Sequence, residues 1–358
     1  MSKICLVCVS LRAGGTERIV SRMATYLRKH HAVSVLLLSR ATPFYELPSE
    51  VSLIQPDISN KRSAGWKWYL YILSYIQRSL STMRPDLVLC FGESIASATL
   101  LIAKFYSDRV IVFNRANPTS SMEGSRGIIN PLIYPVADKV VVQTSRAVQI
   151  MKPRYRFSKF EVLPNPIQVP DNVTRFEDRP KHIISIGTLG GKKNQKALIS
   201  AFATLKDCHS WKLNIVGDGP DRAYLERLSE NLGVSDNVFF YGQCQDVYKF
   251  LNESRVFALT SLSEGFPNAL AEALSAGCAC ISYDCPTGPS ELIRHNINGI
   301  LVPNGDEAKF QSSLEELVEN EFLQINLSLN ARSMIVHYSQ DIVFKKLDSL
   351  LETSLKVR

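Results

Sequence analysis

Residues 4–38 read ICLVCVSLRAGGTERIVSRMATYLRKHHAVSVLLL. A six-residue apolar run, a loop with paired glycines, a helical stretch over 16–29 and a second apolar run over 33–38 follow one another. Uninterrupted β-rich runs separated by a helix are the pattern of parallel strands buried on both faces. Further runs at 87–91, 110–113 and 139–143 continue it. The text of 164–180, PNPIQVPDNVTRFEDRP, is rich in proline and polar residues and marks a linker. The pattern restarts at 183–186 and repeats at 212–216, 238–241, 256–260 and 279–283. Two doubly wound α/β domains are expected, with a cleft between them and ligands beyond the carboxyl ends of the strands. A last helix is expected over 341–355, with Ile342, Leu347, Leu350 and Leu351 at helical spacing.

Composition sets outer bounds. A chain of 358 residues, 45% apolar and 21% charged, has room for about two domains with their own cores. Of the eight cysteines, Cys5 and Cys8 have C-x-x-C spacing within the first apolar run; all eight read as small core residues of a reducing compartment. The apolar run at the start is too short for a signal-peptide core or a membrane span, so a cytoplasmic protein is expected. Charge is unevenly distributed: residues 1–170 hold 22 Lys+Arg against 10 Asp+Glu, net +12, leaving 19 against 24, net −5. A basic half suits an anionic surface. Residues 66–80, WKWYLYILSYIQRSL, set Trp66, Lys67, Trp68 and Arg78 around an apolar body. That composition fits an interfacial helix on a membrane and equally a sheet-covering helix with its aromatics in the core. Nucleic acid is disfavoured, because the basic residues are dispersed and no binding motif is present.

The loops carry the chemistry. Residues 264–272 read EGFPNALAE. Asn268 is the expected N-cap after Pro267, Ala269–Ala276 are helix formers, and Gly277 supplies the stop. The first amides, at Ala269, Leu270 and Ala271, would form an anion site for a diphosphate. Glu272 would then hold a ribose diol and Glu264 a sugar hydroxyl; alternatively Glu272 complements the helix dipole and Glu264 is a solvated loop residue. Gly14 and Gly15 after the first strand permit close approach to a phosphate or sugar. In GTLGGKKN, residues 187–194, Lys192 or Lys193 can act as a point charge on a leaving phosphate, or both are solvated. Neither this loop nor 217–220 has P-loop or G-x-G-x-x-G spacing, which disfavours a nicotinamide enzyme. Six histidines are scattered without ligand spacing and there is no D-x-D pair, so neither metal nor cofactor is expected.

Taken in order, GGTER, GTLGGKKN, VGDGP, FYGQCQDV, EGFPNALAEALSAG and DCPTGPSELI resemble the retaining glycosyltransferases of family 4, which have the GT-B fold. The resemblance covers nearly the whole chain. It implies an N-terminal acceptor-facing domain, 1–168, to which a C-terminal helix, 340–358, returns, and a nucleotide-sugar domain, 169–339; the charge asymmetry and the aromatic-basic stretch make the first of these the membrane-facing one. Carried over by position, it implies Glu272 on the nucleotide ribose, Glu264 on a donor-sugar hydroxyl, and Lys193 on the leaving phosphate. The backbone from Gly265 and Phe266 through Asn268, Ala269 and Leu270 would hold sugar and diphosphate, with Gly15 closing over the donor and the backbone near Cys244 reading the base. Where the family commonly has Arg this chain has Thr188, and Lys192 is the candidate substitute. Where many members have a cleft histidine this chain reads Asn114-Arg115, which makes Arg115 a candidate contact to sugar or acceptor phosphate.

The expected activity is therefore metal-independent, retaining transfer of a hexose or N-acetylhexosamine from a UDP-sugar to a polyprenyl-diphosphate-linked glycan, as in O-antigen or capsule assembly. The enzyme would sit on the anionic cytoplasmic face of the inner membrane, with Arg12, Trp66, Lys67, Trp68 and Arg78 toward membrane or acceptor. A UDP-sugar 2-epimerase and a non-catalytic lipid-glycan scaffold are the alternatives.

Overall fold

A computed structural model describes residues 1–12, 14–40, 42–57 and 66–355. Ala13 of the first loop and the end of the expected C-terminal segment, 356–358, lie outside the described residues. The chain divides into unit 1, residues 1–165 with 343–358, and unit 2, residues 166–342.

Unit 1 runs β1 (Lys3–Cys8), α1 (Gly15–Leu27), β2 (Ala32–Leu37), β3 (Ser52–Ile54), α2 (Trp66–Met83), β4 (Leu87–Phe91), α3 (Ala96–Ala103), β5 (Arg109–Phe113), α4 (Pro118–Ser121), α5 (Arg126–Ile133), β6 (Lys139–Val142), α6 (Ser145–Met151) and β7 (Phe160–Val162). Its strands form one parallel sheet in the order β3-β2-β1-β4-β5-β6-β7. Because successive side chains alternate between faces, each strand feeds two cores. Ile4, Leu6, Leu89, Ile111 and Phe113 pack with α1. Cys5, Val7, Val88, Val110 and Val112 pack with α2, α3 and α6. Both faces are covered, which is why these strands read as unbroken apolar runs.

The helices of unit 1 show their inner faces by spacing. α1 buries Ile19, Val20, Met23, Ala24 and Leu27, a stripe of helical period. α2 buries Ile72, Ile76 and Leu80 while Trp66 and Tyr69 are exposed and Trp68 is half-buried. The inner stripe covers the sheet, as one alternative for this helix expected, and its first turns leave aromatics exposed.

Unit 2 runs β8 (His182–Ile186), α7 (Gln195–Ala203), β9 (Lys212–Val216), α8 (Arg222–Asn231), β10 (Val238–Gly242), α9 (Tyr248–Asn252), β11 (Val256–Leu259), α10 (Asn268–Ser275), β12 (Ala279–Asp284), α11 (Pro289–Leu292), β13 (Ile300–Pro303), α12 (Glu307–Glu319) and α13 (Glu321–Ile335). The parallel order is β10-β9-β8-β11-β12-β13, that of a dinucleotide-type sheet. Leu198, Phe202, Phe310 and Leu314 cover one face; Leu251, Leu270 and Leu274 cover the other. The last helix, α14 (Gln340–Leu355), places Val343, Phe344, Leu347, Leu350 and Leu351 in the α1-side core of unit 1. Tyr26 and Phe344 stack there with ring centroids 4.3 Å apart. Two parallel α/β units give the GT-B class of the resemblance.

The proline-rich stretch differs from a loose linker. Ile167 N–H donates to Tyr338 O at 2.9 Å and Gln340 N–H to Ile167 O at 3.0 Å, and Phe176 and Arg179 are buried. Prolines there lack an N–H, and the stretch is anchored by the backbone of Ile167 together with the buried side chains of Phe176 and Arg179.

Candidate active site

In unit 2 the strands after β8 are added first on one side, as β9 and β10, and then on the other, as β11 to β13, and crevices form at such switch points beyond the strand ends. The loops after these two strands are tied together by their backbones. Leu262 N–H donates to Lys192 O at 2.9 Å, and Thr260 Oγ1 donates to Lys193 O at 3.2 Å. The β8 loop closes on itself through Lys193 N–H to Gly190 O, 2.8 Å, and Gln195 Nε2 to Thr188 O, 3.0 Å. Asn194 then turns left-handed, φ 53°, a conformation asparagine tolerates, and α7 begins. The neighbouring β9 loop presses close: a Cβ on Gly217, φ +139°, would lie 1.9 Å from Gly187 O, so only glycine fits.

This scaffold sets Lys193 Nζ 2.6 Å from Glu264 Oε1. Glu264 is 9% exposed and Lys193 31%, so the pair sits at the boundary of water and protein. Thr287 Oγ1 donates to Glu264 O, and Gly288, φ +104°, lies so close to Pro267 that a Cβ would be 2.3 Å from Pro267 Cδ. The loop after β12 thereby props the Glu264–Pro267 turn. Cys285 beside it is pushed up to about 12 by burial, which keeps it a neutral thiol next to the carboxylate.

α10 starts at Asn268, and the cap position is Pro267, which has no side-chain cap bond. The expected cap at Asn268 is thus displaced by one residue: Asn268 N–H already bonds Phe266 O at 2.9 Å, closing the turn one step earlier. Ala271 N–H donates to Pro267 O at 3.1 Å, so it is not part of an anion site, and Ala269 and Leu270 carry the first-turn amides. Glu272 lies one turn in and is 1% exposed. At the other end Gly277, φ +75°, stops the helix as expected. Arg179 Nη2 donates to Ala276 O at 2.6 Å and Nη1 to Gly277 O at 3.2 Å and Ser254 O at 3.1 Å. A buried cation on the last carbonyls of α10 suits the helix dipole.

The remaining expected residues are dispersed. Thr188 and Lys192 are exposed on the β8 loop, Gly265 is half-buried, and the buried Phe266 ring lies 6.1 Å from that of Tyr338. Cys244, half-buried after β10, directs Sγ to Asp246 O at 3.1 Å. In unit 1, Arg12, Gly15, Lys67 and Arg78 are exposed. A Cβ on Gly14 would lie 2.2 Å from Glu17 Oε2; burial raises the pKa of Glu17.

Arg115 departs from expectation. It is buried, lies over the Phe113 ring at 5.0 Å, and gives Nη1 to Leu163 O and Asn165 Oδ1 at 3.0 Å each. Burial lowers its pKa to about 9, with nearby Glu93 opposing, so it is cationic at neutral pH. Its backbone N–H and that of Ala116 both donate to Glu93 Oε1 at 2.7 Å. In this structure the side chain is an internal tie between β5 and the end of unit 1. Sequence reasoning missed Glu93, Arg179, Gly217, Thr287 and Gly288; the VGDGP and DCPTGPSELI segments were the available signal for the last three.

Comparison with known proteins accords with the two-unit fold. The family description "Glycosyltransferase Family 4" matches residues 13–169 and "Glycosyl transferases group 1" matches residues 169–334. The chain is 26% identical to an amylovoran biosynthesis glycosyltransferase of Erwinia amylovora, over 95% of this chain and 96% of that one. It is 25% identical to an α-1,4-N-acetyl-D-galactosaminyltransferase of Campylobacter jejuni, named for a PP-undecaprenol-linked saccharide, over 93% of each. A Streptomyces coelicolor exopolysaccharide phosphotransferase is 28% identical over 94% of this chain, which spans only 39% of that protein's length. Among solved structures, a lipopolysaccharide outer core galactosyltransferase has TM-score 0.77 at 21% identity, covering 98% of this chain and 99% of that one. An Anabaena protein solved with UDP-glucose has TM-score 0.82 at 16% identity, covering 99% of this chain and 100% of that one.

Proposed function

We propose, from the premise that the chain belongs to the family 4 glycosyltransferases, that it moves a hexose or N-acetylhexosamine from a UDP-sugar to a polyprenyl-diphosphate-linked glycan with retention of configuration. The observation that carries the reading is the Lys193–Glu264 pair, 2.6 Å apart, at the switch point of unit 2 and beside the start of α10. A nucleoside diphosphate sugar offers hydroxyls and phosphates together, and this site offers a carboxylate and a cation together. Glu264 accepts from a sugar hydroxyl; Lys193 and the first amides of α10 face the phosphates. Glu272 takes the ribose, and the backbone near Cys244 takes the base. The Anabaena neighbour, solved with UDP-glucose, supports the donor class, and the Campylobacter relative's name supports a lipid-diphosphate acceptor.

In the transfer the bond from the anomeric carbon to the diphosphate oxygen breaks, and a bond to the acceptor oxygen forms on the same face. The acceptor's proton passes to the departing diphosphate. Lys193 and the α10 terminus neutralise the charge that grows on the leaving group, which lowers the barrier only to the extent that the contact strengthens in the transition state. No metal ion is required by this scheme, so turnover should survive a chelator.

The test is a panel of UDP-sugars with a lipid-diphosphate-linked saccharide, product configuration being read by NMR. Transfer with an axial-to-axial or equatorial-to-equatorial outcome supports the reading. Inverted product contradicts retention, and sugar conversion in the absence of any acceptor favours an epimerase instead.

A further inference from the structure

The unit 1 sheet has a switch point of its own. Strands are added to β1 on one side as β2 and β3 and on the other as β4 to β7, so a crevice opens between the loops that follow β1 and β4. Gly92, the first residue after β4, turns at φ +98°, and a Cβ there would lie 3.3 Å from Val9 Cγ2 of the β1 loop. Glu93 follows directly and is half-buried.

Glu93 is fixed at both its backbone and its side chain. β5 ends at Phe113 and Asn114 N–H pairs with Val141 O at 2.9 Å. The next two amides, of Arg115 and Ala116, both donate to Glu93 Oε1 at 2.7 Å. Asn130 Nδ2 donates to Glu93 O at 3.4 Å, and Ser97 Oγ donates to Asn130 Oδ1 at 2.6 Å. Two short bonds to one oxygen hold the carboxylate in a single orientation. The other oxygen, Oε2, accepts no hydrogen bond among the described residues. A loop brace needs one acceptor oxygen, which Gln supplies at no charge; a carboxylate brings a second.

The missing counter-ion identifies what Oε2 takes. Glu93 forms no salt bridge among the described residues. Arg115, two places beyond β5, is 6% exposed and gives Nη1 to Leu163 O and Asn165 Oδ1. A phosphate at hydrogen-bond distance from Oε2 would meet like charge with no cation between them. A sugar hydroxyl donates, and its bond to a carboxylate is of the strong, charge-assisted kind.

We propose that Glu93 is a specificity-determining residue for the acceptor: Oε1 holds the β5 loop, and Oε2 accepts from a hydroxyl of the acceptor's terminal sugar. The sugar end of the acceptor, and not its diphosphate, then lies at the crevice between the β1 and β4 loops. The inference rests on the reading of the chain as a transferase that extends a lipid-linked glycan.

The experiment uses the full chain with Glu93→Gln, which keeps one carbonyl oxygen for the two amides and puts a donor in place of Oε2, and Glu93→Ala, which removes both. The probes are the methyl α-glycosides of glucose, galactose, N-acetylglucosamine and N-acetylgalactosamine, followed by saturation-transfer NMR, with inorganic pyrophosphate as competitor. Thermal midpoints report the brace. Wild type should bind at least one glycoside, and pyrophosphate should not displace it. Glu93→Gln should bind that glycoside at least about tenfold more weakly with a midpoint close to wild type, whereas Glu93→Ala should lose binding and midpoint together. Among monodeoxy forms of the bound glycoside, one should weaken binding to wild type about as much as Glu93→Gln does and weaken binding to that variant no further. A glycoside bound equally well by Glu93→Gln, one displaced by pyrophosphate, or no glycoside bound at all overturns the proposal. A saccharide acceptor used by Glu93→Gln at the wild-type KM also overturns it and leaves the transferase reading intact. Glycoside binding that depends on Glu93, in a chain that transfers sugar from no UDP-sugar, keeps the subsite and sinks that reading.

Discussion

Lys193 and Glu264 were legible because each lies in a compact motif, but the bond between them joins residues 71 apart and only the fold brings it about. Replacing Lys193 with Ala should lower kcat about 100-fold with little change in KM, since its contact is worth most as the phosphate departs; steady-state kinetics decide, and a KM effect alone would contradict the assignment. Thr287 and Arg179 were not legible for the complementary reason: each bonds a backbone carbonyl, which has no sequence signature. Arg115 was misplaced because position in a motif says nothing of which way a side chain turns. Arg115→Met should cost about 1–3 kcal/mol by removing the Nη1 hydrogen bonds to Leu163 O and Asn165 Oδ1, read by urea denaturation; an unchanged midpoint would show the tie to be idle. Glu17 gives a pH prediction. Its folded pKa is raised by burial, so the native state binds more protons than the unfolded one, and stability falls as pH rises from 4.5 through the raised value. Glu17→Gln should remove that slope and be the more stable protein at neutral pH.

The central strands could be read because burial on both faces leaves an unbroken apolar run. β3 and β7, three residues each with exposed or half-buried positions, lack such a run and passed unread, as did β13. α10 was read correctly in type and end, and its start was off by one because Pro267 closes the preceding turn. Its two ends now have distinct duties: amides toward the candidate site at one, Arg179 on the carbonyls at the other. Arg179→Met should destabilise the protein by about 3 kcal/mol, since several buried carbonyls lose one donor together. Gly217→Ala, which would drive a methyl into Gly187 O, should cost at least about 2 kcal/mol and weaken donor binding. Thermal unfolding with and without UDP separates these outcomes; Gly217→Ala with wild-type stability would refute the close approach.

At the scale of the molecule the alternation of runs and helices was enough to give two parallel units, because each unit closes its own pair of cores. Charge asymmetry distinguishes the two halves in sequence, but which apolar side chains of unit 1 remain in water was not legible, because it depends on which helix faces the sheet leaves outward. The division of labour predicts where ligand is felt: hydrogen exchange should slow on adding UDP chiefly in unit 2, at 187–194 and 262–272. UDP at about 100 times its Kd should add about 2.7 kcal/mol to stability. The most direct single measurement is a calorimetric titration of UDP, with GDP as control, into wild type and Glu272→Gln. The account predicts selective UDP binding by the wild type, weakened at least about tenfold in the variant by loss of a charged hydrogen bond. A folded wild type that binds no UDP, or a variant that binds it equally well, would contradict the account.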